Sequence, residues 1–177
     1  MRTLVVYESM WGNIEQIARA VASGLGEATE IDLVEIGQAP AVPAYAVQLL
    51  VVGGPTHTFS MSRPDTRFEA VTRGASNTTP SPGIREWIAA LPSASTGLLV
   101  ATFDTRVVKT RRLPGSAARK AGKLLSRHGY EQVLDPEGFY VAGMEGPLVD
   151  GELDRARAWG GRVGAAARKE LQARTAR

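Results

Sequence analysis

The chain has 177 residues, 44% hydrophobic and 22% charged, enough for one globular domain with a full core. It has no Cys and only two His, far apart in sequence, which excludes disulfides, thiol nucleophiles and iron–sulfur ligation and argues against a zinc or haem site. A net charge of +3 is a mild basic bias, and with 6% aromatics and no recognisable module it does not point to nucleic acid.

The opening "MRTLVVY" enters a strand without a signal-peptide pattern, and no later apolar run approaches membrane-spanning length, so the expectation is a soluble cytoplasmic protein with no membrane partner. Apolar, β-branched runs predict strands at Thr3 to Tyr7, Glu30 to Glu35, Leu49 to Gly53 and Gly97 to Phe103. A last strand begins near Gln132, is interrupted by the turn "DPEG", and resumes at Phe139 to Val141.

Between the first two strands, Ile14, Ile17, Ala18, Val21, Ala22 and Leu25 repeat at helical spacing, with Asn13 and Gln16 as a capping box and Gly24 and Gly26 as stop signals. Ser62 and Pro64 can begin a short helix inside the long excursion from Gly54 to Pro80. Ser81 with Pro82, Ser116 and Asp150 are the expected starts of three further helices. Gly129 ends the second of these, with His128 as its C-terminal cap. Gly160, Gly161 and Gly164 in the last helix each cost helix propensity and predict close backbone packing.

Strands alternating with helices predict a parallel sheet covered on both faces, across a single domain spanning residues 1–177. In such a sheet, ligands bind beyond the carboxyl ends of the strands, where the winding reverses. This singles out "ESMWGNI", "GGPTHTFSMSRP" and "TFDTRVVK", which follow the first, third and fourth strands.

"VVYESMWGNIEQIARAVASGL" resembles the first βα unit of the flavodoxin-like FMN proteins, and its "S-M-aromatic-G-x-I-E" run is similar to the tryptophan-repressor-binding-protein type of NAD(P)H:quinone oxidoreductases. "VVGGPTHTFSM" matches the "G-x-P-T" loop of the same superfamily. The resemblance implies a three-layer α/β sandwich on a five-stranded parallel sheet of order 2-1-3-4-5, with FMN held without a covalent bond. It implies that Ser9, Met10, Trp11, Gly12, Asn13 and Ile14 anchor the phosphate and ribityl end. Pro55, Thr56, His57, Thr58 and Phe59 would line one side of the ring, and Thr102, Phe103, Asp104, Thr105 and Arg106 the other.

Trp11 and Ile14 stand where a phosphate turn of the S-x-T-G-x-T type carries hydroxyls. Amides at a helix N-terminus hold a phosphate largely by themselves, and each missing neutral hydrogen bond costs about 0.5–1.5 kcal/mol. Ile14 is therefore expected to pack inward. His57 and Phe59 are ring contacts or, respectively, a loop histidine and a core cover. Arg106 either approaches the ring and makes its reduction potential less negative or pairs with Asp104 or water. No residue is assigned as catalytic, and no metal is expected.

Three functions follow: electron carriage between redox partner proteins, NAD(P)H-dependent reduction of a small quinone or FMN, and a cofactor-free interaction module on the same fold. A response-regulator receiver is disfavoured, because Glu8 stands alone after the first strand and "GGPT" supplies no Asp after the third.

Overall fold

The computed structural model describes residues 1–27, 29–44, 46–75, 82–93 and 97–176. Among these residues six strands are described: β1 (Arg2–Tyr7), β2 (Glu30–Glu35), β3 (Leu49–Pro55), β4 (Leu99–Val107), β5 (Glu131–Gln132) and β6 (Glu137–Val141). They are all parallel, in the order β2-β1-β3-β4-β5, and β6 continues beside β4 where β5 stops. The fifth position of the sheet is thus one strand split in two, as the "DPEG" turn predicted.

Five α-helices are described: α1 (Asn13–Gly24), α2 (Pro64–Thr72), α3 (Ile84–Ala90), α4 (Ala117–Arg127) and α5 (Glu152–Thr175). Alternate strand residues point to opposite faces. Val5, Leu49, Val51, Leu99 and Phe103 meet α1 and α5, whereas Leu4, Val6, Leu50, Val52 and Val100 meet α3 and α4. This is the expected three-layer sandwich.

Of the last-helix glycines, Gly160 and Gly164 do what their propensity cost implied, whereas a Cβ on Gly161 would make only an ordinary contact, 3.5 Å from the Gly24 carbonyl. A Cβ on Gly160 would overlap the Val21 carbonyl, and one on Gly164 would lie 2.6 Å from the Leu25 oxygen. In the other direction, Gly24 admits the Arg157 carbonyl. The α1 and α5 backbones therefore touch, and Trp159 reaches past them into an edge-to-face cluster with Phe103 and Phe139, centroids 5.9–6.2 Å apart.

Several helix starts differ from the sequence reading. Gly12, at φ 80°, occupies the α1 N-cap, which makes Asn13 the first helical residue; its side-chain Nδ2 donates to the Glu145 carbonyl at 2.9 Å. A left-handed residue is needed to turn the chain there, and glycine adopts it without Cβ strain. Gly151 rather than Asp150 caps α5, for the same conformational reason at φ 83°. Arg63 rather than Ser62 precedes α2, and Gly83 caps α3, while Ser81 lies outside the described residues. Ser116 caps α4 as expected, its hydroxyl accepting from the Arg119 amide, and His128 is the C-cap before Gly129 at φ 85°.

β4 also runs longer than predicted. Its pairing with β3 reaches Pro55 and Thr105, and with β6 it reaches Val107, so the "TFDTRV" stretch is strand rather than loop. Among the described residues no helix is long and apolar enough to cross a membrane.

Candidate functional site

β1 and β3 are neighbours from which the chain leaves to opposite sides, β1 towards α1 and β3 towards α2 and α3. Beyond their carboxyl ends lies a cavity of about 480 Å³, within the usual range for a small-molecule site. Its walls come from four segments: the turn before α1, the loop after β3 with α2, the end of β4 with the 3-10 turn Val108–Thr110, and the loop after β6.

The first segment is built around its own backbone. Ser9, buried, accepts the Glu15 amide at 3.3 Å and thereby caps the first turn of α1 from outside the helix. Among the described residues, the amides of Trp11, Gly12, Asn13 and Ile14 have no hydrogen-bond acceptor. Unfilled donors at a helix N-terminus, reinforced by the helix dipole, form a ready anion site. Met10 is buried against Ala70 of α2, with Trp11 beside it. Ile14 is 1% exposed and joins the core beneath α1, which is the inward packing expected of it.

The second segment turns sharply. His57 and Ser60 exchange backbone hydrogen bonds of 2.8 and 2.9 Å around Thr58 and Phe59, both at positive φ (46° and 61°). Phe59 is 44% exposed and rests on Gly115, where a Cβ would overlap it. His57 lines the cavity half-buried, and burial lowers its pKa; the Glu69 charge opposes that shift and the Arg67 charge adds to it. The Thr56 hydroxyl donates to Asp104 (2.9 Å) and accepts from the Ala117 amide (2.9 Å).

Of the five fourth-strand residues, Thr105 and Arg106 line the cavity, and Thr102, Phe103 and Asp104 do not. Because the strand continues through them, they alternate into the layers. Thr102 donates to the Ala118 carbonyl, and Phe103 fills the aromatic cluster above Gly53, whose missing side chain makes room for the ring. Asp104 is fully buried and accepts from Thr56, Ser116 and the Ala118 amide, joining the β3 loop to the start of α4. Asp104 and Arg106 form no ion pair. Arg106 instead donates to the Gly115 and Arg111 carbonyls, both at 2.9 Å, so that it braces the loop after β4 from inside the cavity wall.

Part of the wall escaped the sequence reading. Thr66, Glu69 and Ala70 come from α2 and Arg73 from its C-cap, Thr110 from the 3-10 turn after β4, and Val141, Met144 and Glu145 from the end of β6 and the loop after it, while Val107 and Lys109 fall in the "TFDTRVVK" stretch beyond its expected site residues. The unusual length of the Gly54 to Pro80 excursion was the available signal for α2. The fifth-strand loop had none beyond its position at the same sheet edge.

A buried polar group supports the floor next to this cavity. Glu8 accepts from Ser62 and from the Ile84 amide, while Arg67 donates to Ser62 and pairs with Glu86 at 3.1 Å. Burial raises the Glu8 pKa above the ordinary carboxylate value, against the lowering effect of those hydrogen bonds and of Arg67.

No protein-family model and no curated protein matches the chain by sequence. Solved structures do match in shape. A flavodoxin from the domain Archaea superposes with a TM-score of 0.63 at 17% identity, covering 95% of this chain and 99% of that one. The Streptococcus pneumoniae TIGR4 flavodoxin gives 0.66 at 16% identity, with 93% and 99% covered. The WrbA-like flavodoxin from Agrobacterium tumefaciens gives 0.54 at 20% identity, with 95% and 98% covered. At these identities the likeness establishes the fold, which is flavodoxin-like.

Proposed function

We propose that this flavodoxin-like chain binds FMN in the cavity beyond β1 and β3 and transfers electrons through it. The observation that carries the proposal is the set of unfilled amides from Trp11 to Ile14 at the head of α1, opening beside a cavity of flavin-accommodating size at the winding reversal. The donor chemistry fits a phosphate even without the two hydroxyls, since backbone groups do not depend on side-chain identity.

When bound, the isoalloxazine supplies the one- and two-electron chemistry. The chain holds and shields it. Trp11 and Phe59 offer ring faces, and His57, kept neutral by burial, offers a third without adding charge. Thr56 is committed to Asp104 and Ala117, so it fixes the loop's shape. Arg106 keeps its cation in the wall while its hydrogen bonds go to the Gly115 and Arg111 carbonyls.

The test is FMN binding to the purified protein, with riboflavin as the comparison. Hydrogen bonds to a charged group contribute about 1.5–3 kcal/mol each, so FMN should bind at least about a hundredfold tighter than riboflavin. A colourless protein whose melting temperature ignores FMN sinks the proposal. A second reading, NAD(P)H-dependent quinone or FMN reduction in the cytoplasm, draws support from Lys109 in the cavity wall, a suitable partner for a nucleotide phosphate. Steady-state NADPH or NADH oxidation with a quinone separates enzyme from carrier.

A further inference from the structure

The basic charge of this chain is concentrated in one place. Residues 105–130 hold eight of its 21 Lys and Arg and no Asp or Glu, leaving 13 cations against 18 carboxylates elsewhere. The segment is therefore +8 on a molecule whose remainder is −5. Ion pairs occupy Arg2, Arg19, Arg67, Arg73, Arg155, Arg157, Arg162 and Arg174, but among the described residues none of the eight cations of this segment has one.

The fold leaves most of this run's cations exposed. Lys109 stands in the cavity wall and is exposed, Arg111 and Arg112 follow it in solvent, and Arg119, Lys120, Lys123 and Arg127 lie along the outer side of α4. Arg119, Lys123 and Arg127 recur at four-residue spacing on one helix face, so like charges face each other. Arg119 and Lys120 also sit in the first turn, where the helix dipole disfavours cations. Folding alone does not favour this arrangement. Leu113, 48% exposed, lies within the same run, and Phe59, 44% exposed, lines the cavity and rests on Gly115.

We infer that the loop after β4 and the outer face of α4 form the docking surface for an acidic protein whose redox centre is brought over the cavity mouth. Charge complementarity specifies the partner's sign, and Lys109, shared by stripe and cavity, specifies where that centre is placed. The electron-transfer part rests on the FMN proposal above; the docking part does not.

The experiment uses the intact protein and two haem proteins of opposite surface charge, cytochrome b5 with an acidic haem edge and cytochrome c with a basic one. One electron passes from the dithionite-reduced, desalted flavoprotein to the ferric haem, giving ferrous haem and a flavin oxidised by one electron. Reduction of cytochrome b5 is expected to slow by about tenfold between roughly 10 mM and 300 mM salt, and the double variants R111E/R112E and R119E/K123E to lose about tenfold or more at low salt with FMN binding unchanged. Binding of dye-labelled cytochrome b5, read by anisotropy without any flavin, should weaken in the same variants; this isolates a failure of the docking surface from a failure of FMN binding. The inference is overturned if cytochrome c is preferred, if the variants bind cytochrome b5 as the parent does, or if a 20-base-pair DNA duplex or phosphatidylserine vesicles bind more tightly at equal ionic strength.

Discussion

The two faces of the sheet are built on opposite principles. On one, α1 and α5 approach until glycine Cα atoms rest on carbonyl oxygens, and Trp159, Phe103 and Phe139 interlock beneath them. On the other, α3 is short, α4 meets the sheet through Ala117, Ala118, Ala121 and Leu125, and its solvent side carries cations that have no ion pair among the described residues. Close packing leaves no room for variation, so the first face gives rigidity. The second face gives up helix stability for a charged surface, and it meets the cavity through the loop after β4 as the first does through the head of α1.

Matched glycine substitutions test the contrast most strongly. Gly160→Ala drives a methyl into the Val21 carbonyl, which the α1 backbone cannot yield cheaply, and should destabilise by about 1–3 kcal/mol. In Gly122→Ala on α4, the main obstacle is the end of the Gln132 side chain, which can swing away, and the Thr102 hydroxyl at 3.3 Å needs to give by only a few tenths of an ångström. The gain in helix propensity, about 0.8–1.0 kcal/mol, should then leave that variant neutral or more stable. Equal losses in urea melts would show that the faces do not differ as described.

Glu8 offers a test at the boundary between the layers and the site. Its folded-state pKa is raised by burial, so its contribution to stability is fullest below the unfolded value of about 4.3 and is lost as pH rises through the folded value. Glu8→Gln keeps an acceptor for the Ile84 amide and cannot ionise. The melting temperature of this variant relative to the parent should therefore climb between pH 4 and pH 7. A difference independent of pH would mean that the carboxylate is buried at no electrostatic cost.

The smallest expected effect has the opposite sign. Arg119→Glu places an anion in the first turn of α4 and should stabilise the fold by about 0.3–1 kcal/mol at low ionic strength, shrinking with added salt. A loss of stability would show that Arg119 is held by a contact rather than tolerated.

What could be read from the sequence follows from what is local. Strand and helix identities rest on apolar period, and even the split fifth strand announced itself through "DPEG". The Ile14 side chain was placed correctly because its helical spacing with Ile17, Ala18 and Val21 decides its direction. Helix starts were less legible. Asn13 and Asp150 have good capping side chains, but the adjoining Gly12 and Gly151 take left-handed conformations that side-chain preference cannot reveal. The end of β4 was misread because Asp104 and Arg106 look like loop residues; burial of Asp104 is made possible by three donors from Thr56, Ser116 and Ala118, of which Thr56 is distant in sequence. The α2 wall needed the packing of Ala70 on Met10, a contact between residues that no pattern relates.

The turn at Thr58 and Phe59 has one more consequence. An Asn-Gly pair would adopt its backbone freely, whereas a threonine and a phenylalanine at positive φ cost of order 1–3 kcal/mol each. Phe59→Gly should therefore make the fold more stable while removing an aromatic ring from the cavity wall, so stability and ligand affinity are expected to move in opposite directions.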